Sequence, residues 1–213
     1  MRGLALGLTL AAALGGAALA HDGRAHDSVA DARQHSAAMS DTISGPDTPF
    51  PLKLGGPFRL TDQAGHPRGA ADPEGRLQLV FFGYANCQSI CSVALPLMAE
   101  ITDRLAAEGV PLAPVMITVD PARDTVETMA ALLTLDHPDF IGLTGTEAEL
   151  EPVYKLFSVE KSVVFDDPVH GPVYAHGSHI YLMDAEGGFL TLIPPILSAE
   201  RAAEIVLSYA AAH

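Results

Sequence analysis

Residues 77–91, LQLVFFGYANCQSIC, decide the fold. The first six of them, 77–82, form a short apolar run of β-forming type, which predicts a buried central strand. After a short loop, apolar residues recur at spacings of three and four, which predicts a helix over 89–107. The stretch therefore predicts a strand that leads into a helix, with Cys87 and Cys91 at the junction.

Outside this stretch, predicted strands and helices alternate along the chain. Apolar runs of β-forming residues predict strands at 58–61, 114–119, 140–143, 173–183 and 189–193. Helical periodicity predicts helices at 125–135, 147–157 and 198–211, the last with Ser198 as its N-cap. This alternation predicts an α/β domain with a central mixed β-sheet flanked by helices.

The amino-terminal residues predict an export segment and a tail ahead of this domain. Residues 1–20 combine one positive charge with an apolar run that ends in small residues, which is typical of a secretory signal peptide. An uncleaved N-terminal membrane anchor is the alternative. The apolar run at 3–20 is at the short limit for such an anchor, because crossing a bilayer takes about 17–25 apolar residues. Residues 21–48 contain three histidines and lack apolar periodicity, which predicts a flexible tail. The folded domain is expected over 49–213.

Composition limits the classes of partner. Asp and Glu outnumber Lys and Arg by 26 to 12, which gives a formal net charge of −14. No nucleic-acid partner is expected, because a phosphate-binding surface needs concentrated Lys and Arg. With only two cysteines in the chain, an iron–sulfur cluster is also disfavoured.

The cysteine pair suggests chemistry at the strand–helix junction. A helix N-terminus stabilises a thiolate, and residues four apart on a helix face the same way, so both sulfurs can share one space. The C-x3-C spacing permits a structural disulfide, a redox dithiol or a soft-metal site. Two thiolates need a further ligand, usually imidazole, and zinc and copper both accept such a set. His176 and His179 are the candidates, and they would point to opposite faces of the strand at 173–183.

Four motifs in order resemble those of the Sco/SenC family of copper-binding, thioredoxin-fold proteins. They are GGPFRLTD at 55–62, FFGY at 81–84 leading into the cysteine pair, VDPARDT at 119–125, and His176 five residues before YLMD at 181–184. The resemblance covers about residues 52–207. It implies a thioredoxin-like fold with an N-terminal β-hairpin extension. It also implies one copper ion per chain, Cu(I) or Cu(II), with Cys87, Cys91 and His176 as its ligands, and so prefers His176 to His179.

The resemblance also implies a role. Family members help to assemble the binuclear Cu(A) centre of cytochrome c oxidase, so the chain is expected to be a periplasmic copper metallochaperone acting on subunit II. The alternative is a periplasmic thiol–disulfide oxidoreductase that keeps target cysteines reduced, with Cys87 and Cys91 as its redox-active pair. Other periplasmic copper chaperones and thiol reductants are further expected partners. An uncleaved amino terminus would anchor the protein to the inner membrane.

The chain departs from the family pattern close to the expected ligands. Gln88 and Ser92 stand where the family usually has proline, and Ala85 stands where it usually has threonine. Ala175 replaces the aspartate that often precedes the histidine. These changes are expected to loosen the cysteine loop and to remove a carboxylate from beside the imidazole.

Other histidines and two acidic residues receive structural interpretations. His66, His137 and His170 are expected to be solvated, with His170 near enough in sequence to serve as a reserve ligand. Asp120 and Asp124 are expected to shape a turn and to cap the helix that follows, in preference to orienting the site.

Overall fold

The computed structural model describes residues 53–212, except Asn86 and Gln88, and these residues form an open mixed sheet flanked by helices. The strands are β1 (Arg59–Asp62), β2 (Pro67–Gly69), β3 (Leu77–Gly83), β4 (Leu112–Thr118), β5 (Ile141–Thr144), β6 (Ser162–Asp167), β7 (Gly171–Ala175), β8 (Ile180–Met183) and β9 (Phe189–Ile193). The helices are α1 (Cys91–Ala107), α2 (Val126–Asp136), α3 (Glu147–Leu156) and α4 (Ala199–Ala210). The predicted α/β class is confirmed.

Strand β3 lies inside a seven-stranded sheet of order β2-β1-β5-β4-β3-β8-β9. It pairs in parallel with β4 and antiparallel with β8, and all its residues after Leu77 are buried. At its carboxyl end, Gly83 pairs with Thr118 of β4. The loops that follow β3 and β4 therefore meet at one edge of the sheet, where binding sites form in open α/β sheets.

Helix α1 packs one apolar face against this sheet. Ala94, Met98, Ile101 and Leu105 recur at spacings of three and four, and each is fully buried. Burying a side chain as large as Met, Ile or Leu contributes about 1.5–3 kcal/mol, so this face holds the helix in place. The helix begins at Cys91 and not at the predicted Ser89.

Three aromatic rings, including that of Phe82, pack together near the carboxyl end of β3. The ring of Phe82 lies 5.1 Å from that of Phe157 and 5.8 Å from that of Tyr181, measured between centroids. The Tyr181 hydroxyl donates a hydrogen bond to the Phe157 carbonyl oxygen over 3.0 Å. The cluster packs β3, β8 and the carboxyl end of α3 together next to the loop that follows β3.

The single strand predicted at 173–183 is wrong. The structure has two strands there, β7 and β8, separated by residues 176–179. Gly177 has a φ of +81°, a left-handed conformation that ends an extended run and that glycine adopts at low cost. Strand β8 joins the main sheet, whereas β7 pairs with β6, a strand that the sequence patterns did not predict.

The predicted N-terminal hairpin is confirmed, since β1 and β2 pair antiparallel and β1 extends the main sheet beside β5. Ser198 caps α4 as predicted, because its side chain accepts a hydrogen bond from the Arg201 N–H. The predicted signal peptide or anchor at 1–20 and the tail at 21–48 lie outside the described residues. Within 53–212, apart from the two residues left out, the helices fall short of the length and apolarity needed to cross a membrane.

Candidate metal centre

Cys87 and Cys91 lie at the carboxyl end of β3, on opposite sides of the turn into α1. Cys87 belongs to the loop, where its N–H donates to the Tyr84 carbonyl oxygen over 3.0 Å. Cys91 is the first residue of α1. The two are thus not successive turns of one helix, as the spacing argument assumed. Both cysteines are buried, with 8% and 2% of their surface exposed, and both are free thiols.

His176 lies beside the two cysteines, although it is 85 positions after Cys91 in the chain. It directly follows β7, and its Nε2 lies 4.0 Å from the Cys91 Sγ. The Sγ atoms of Cys87 and Cys91 and a ring nitrogen of His176 all lie within 4.8 Å of one another. Across the part of the chain that the structure describes, this is the group of histidine, cysteine and acidic side chains arranged to hold a metal ion.

The imidazole of His176 does not behave as a structural histidine. It is 96% buried, yet its Nδ1 has no hydrogen-bond partner among the described residues. Buried polar atoms are almost always paired, because an unpaired one costs about 1–3 kcal/mol. Aromatic edges fill the remaining contacts, with the rings of Phe81 and Tyr84 5.9 Å and 5.7 Å away. The Nδ1 of His176 is thus a buried nitrogen that is left available for a ligand.

The two thiols differ in acidity. A hydrogen bond from the Cys91 thiol lowers the pKa of Cys87 below its ordinary value, and His176 and the backbone N–H groups of Cys91 and Ser89 add to this. The pKa of Cys91 rises, because its proton is held by that hydrogen bond and because it is buried. Within the pair, loss of a proton is therefore favoured at Cys87 and disfavoured at Cys91.

The loop after β4 holds the cysteine loop in place. The Asp124 carboxylate accepts hydrogen bonds from the Thr118 hydroxyl at 2.6 Å and from the Ala85 N–H at 3.2 Å. Burial raises the pKa of Asp124 to about 6. Asp124 does not cap α2, as was predicted, because Thr125 is the N-cap of that helix. Asp124 instead anchors the cysteine loop through the Ala85 N–H, and the cap lies one residue later than predicted.

The other candidate residues lie outside the cluster. His179, His66 and His170 are exposed, so His170 is not a ligand in reserve here. His137 is not solvated as predicted. Its side chain is 13% exposed, and its Nε2 lies 3.1 Å from the Asp103 carboxylate.

Gly83 leaves room for the Cys91 sulfur. A Cβ at this position would lie 3.1 Å from the Cys91 Sγ and 2.8 Å from the Phe81 Cε1. Both contacts are closer than side chains normally come, so we expect Gly83→Ala to lower the free energy of unfolding by about 1–3 kcal/mol. Urea denaturation of the reduced protein measures this. Gly69→Ala is the control, because a Cβ there would meet its nearest neighbour at an ordinary 3.4 Å. Equal losses in the two variants would contradict the prediction.

Comparisons with known proteins agree with this geometry. The SCO2-like protein of Rickettsia felis is 38% identical over 142 residues, which is 65% of this chain and 68% of that relative. The copper-bound ScoI of Arabidopsis thaliana superposes with a TM-score of 0.70 at 27% identity, covering 75% of this chain and 99% of that one. The copper-bound ScoI of Bradyrhizobium japonicum gives a TM-score of 0.65 at 31% identity, covering 73% and 99%. Residues 46–211 match the family model described as SCO1/SenC, and the chain accordingly belongs to the SCO1/SenC family.

Proposed function

We propose that this protein is a copper metallochaperone that binds one Cu(I) or Cu(II) ion through Cys87, Cys91 and His176. The observation that carries the proposal is the convergence of two buried sulfurs and one buried imidazole within 4.8 Å, with an imidazole nitrogen left unpaired. Thiolates favour Cu(I), and imidazole extends the set to Cu(II). Relatives solved with copper bound support copper over zinc as the ion.

The three ligands come from separate segments of the chain, which suits transfer of a bound ion to an acceptor protein. The thiolates come from the end of β3 and the start of α1, whereas the imidazole comes from the segment after β7. A donor set from separate segments can open on one side, so the ion can leave by exchange of ligands with an acceptor. The ligand cluster is covered by the fold and thereby protected from solvent, since all three side chains are buried.

The acceptor and the compartment belong to the same proposal. Family membership supports the Cu(A) centre on subunit II of cytochrome c oxidase as the destination of the copper. The apolar run at residues 1–20 supports export to the periplasm, with either cleavage or anchoring to the inner membrane. In that compartment, other copper chaperones or thiol reductants would supply copper and electrons.

A thiol–disulfide oxidoreductase is the second candidate, and the unequal acidity of the cysteines favours it. Cys87 has the lowered pKa and is the more exposed of the two residues, so it would be the attacking thiolate. It would displace one sulfur of a target disulfide to give a mixed disulfide. Cys91 would then lose its proton and attack Cys87, which releases the target as a dithiol and leaves a disulfide here.

The His176→Ala variant separates the two candidates. We expect the reduced wild-type protein to bind one copper ion per chain. In the variant, we expect Cu(II) affinity to fall more than tenfold, since loss of even an outer partner of a metal ligand costs about 10–100-fold. Competition with chelators and the Cu(II) absorption and electron paramagnetic resonance (EPR) spectra measure this. His179→Ala is the matched control, because its ring is exposed three positions further on.

The outcomes are distinct. A chaperone loses Cu(II) affinity in His176→Ala and keeps it in His179→Ala. A reductase without a copper role keeps its rate of disulfide exchange in both variants and binds copper no better than a Cys87→Ser/Cys91→Ser double variant. The second pattern would contradict the proposed function.

A further inference from the structure

The residue that supplies the imidazole follows a hairpin that is not part of the main sheet. Strands β6 and β7 pair only with each other among the described strands. His176 comes directly after Ala175, the last residue of β7. The main-sheet hydrogen bonds that fix the cysteine loop therefore do not extend to the strand before His176. Contacts from side chains of the loops after β3 and β4 hold β7 beside the cysteines.

Arg123, in the loop after β4, makes several of these contacts. Its Nη2 donates to the Pro172 carbonyl oxygen over 2.7 Å, and its Nη1 donates to the His170 carbonyl oxygen. Its Nε donates to the buried carboxylate of Asp120, which holds the guanidinium in position. One planar group thus joins the loop after β4 to two backbone carbonyl groups at the start of β7, which the five donors of arginine allow.

Two tyrosines complete the connection to the cysteine loop. The Arg123 guanidinium lies over the Tyr84 ring, 5.7 Å from its centroid. The Tyr84 hydroxyl accepts a hydrogen bond from the Tyr174 N–H of β7 over 3.4 Å, and the same ring packs edge-on against His176. The Tyr174 hydroxyl in turn reaches Asp120 at 3.5 Å. Arg123 therefore contacts Tyr84, and Tyr84 contacts both β7 and the imidazole of His176.

We infer that Arg123 is a positioning residue for the metal centre: it holds the β6–β7 hairpin so that His176 meets Cys87 and Cys91. It lies outside the ligand cluster and acts through the backbone of β7 and the ring of Tyr84. The inference rests on the proposed function, because it assigns His176 as the ligand that the contact serves. Arg123 stands in the VDPARDT motif, yet its sequence position alone indicates no role for it.

The Arg123→Gln variant tests this in the copper-loaded protein. We expect Cu(II) affinity to fall by about 10–100-fold, the usual cost of losing an outer-shell partner. We also expect the nitrogen coupling in the Cu(II) EPR spectrum to weaken as it does in His176→Ala, with one Cu(I) still held by the two sulfurs. Arg123→Lys keeps the charge beside Asp120 and should restore part of the affinity. Arg104→Gln is the matched control, because its ion pairs join Glu100 and Glu200 away from the site.

The double variant Arg123→Gln/His176→Ala decides whether the two residues act together. If Arg123 acts through His176, removing both costs no more Cu(II) affinity than removing His176 alone. Additive losses would overturn the inference. So would an Arg123→Gln protein with wild-type nitrogen coupling and an affinity within about threefold of wild type.

A substitution at Gly171 tests the same contact while leaving Arg123 unchanged. Gly171 has a φ of +76°, and a Cβ there would lie 2.8 Å from the Arg123 Nη1. Gly171→Ala should therefore reproduce the Cu(II) effect of Arg123→Gln. Gly65→Ala is its control, with a φ of +81° and open space around the added Cβ, so it carries the same backbone strain without the clash. Equal Cu(II) affinities in the two alanine variants would contradict the inference.

A measurement on the copper-free protein separates failure of this inference from failure of the proposed function. Amide hydrogen exchange at Val173 and Tyr174 should become faster in Arg123→Gln and stay as in wild type in Arg104→Gln. If exchange is unchanged, Arg123 does not hold the hairpin, whatever the protein does with copper. If exchange becomes faster but His176→Ala leaves the copper spectrum unchanged, the proposed function fails and the structural role of Arg123 stands alone.

Discussion

Replacing Cys91 with serine is expected to abolish copper binding by the reduced protein. Cys91 is 2% exposed, it begins α1, and its sulfur lies 4.0 Å from the Nε2 of His176. A serine hydroxyl keeps its proton at neutral pH and is a poor ligand for Cu(I), whereas a thiolate is a strong one. We expect the stoichiometry to fall from one copper ion per chain to none after gel filtration, and Cys87→Ser to do the same. Metal analysis by mass spectrometry measures the loss.

Ser92→Ala is the control for the cysteine variants. Ser92 is exposed, and its hydroxyl donates to the Ser89 carbonyl oxygen over 2.6 Å, so the variant disturbs the same turn without touching a sulfur. Thermal unfolding of each copper-free variant shows that the fold survives. Full copper occupancy in a folded Cys91→Ser protein would remove the sulfur from the site and contradict the proposed ligand set.

The stability of the copper-free protein is expected to fall as pH rises through 6, because of Asp124. Burial raises the pKa of Asp124 from an ordinary value of 3.8 to about 6. A raised pKa in the folded state means that the stabilisation by the protonated carboxyl is complete below pH 3.8 and is lost as pH rises through about 6. The difference of about two units corresponds to a loss of about 3 kcal/mol in the free energy of unfolding across this window.

Asp124→Asn should remove this part of the pH dependence. The amide matches the carboxyl in shape, can accept from the Ala85 N–H and can donate to the Thr118 hydroxyl. We therefore expect the variant to be more stable than wild type at pH 8 and to lose that advantage at pH 4, by urea denaturation at both. Asp166→Asn, the same change on the exposed strand β6, is the control. Parallel curves of stability against pH for wild type and Asp124→Asn would contradict the prediction.

The main sheet was predictable because its signals are local. The apolar run at 77–82 and the helical spacing after it appear in the structure as β3 and α1, with ends that differ by one or two residues. The strand predicted at 173–183 failed because β-forming residues at both ends of the segment concealed the break at 176–179. Gly177 has a positive φ within this break, and glycine alone does not reveal which conformation it will adopt.

The candidate site was predictable in a different way. The junction of β3 and α1 pointed to the cysteines, but nothing near them in sequence specified a histidine 85 positions away. His176 came from the family resemblance, and the argument from opposite faces of a strand had no basis, since residues 176–179 lie between strands. Arg123 received no role from the sequence, and Asp124 was assigned to a turn and a helix cap, because their partners, such as Pro172 and Ala85, lie in distant segments.

The separation of the hairpin from the main sheet has a consequence for unfolding. An ion that bound both Cys91 and His176 would join two segments that lie 85 residues apart in the chain. An ion that binds the folded state and not the unfolded one stabilises the folded state, in proportion to the logarithm of the ion's concentration. Copper bound at this site would therefore stabilise the folded protein, and loss of the ion would remove that stabilisation.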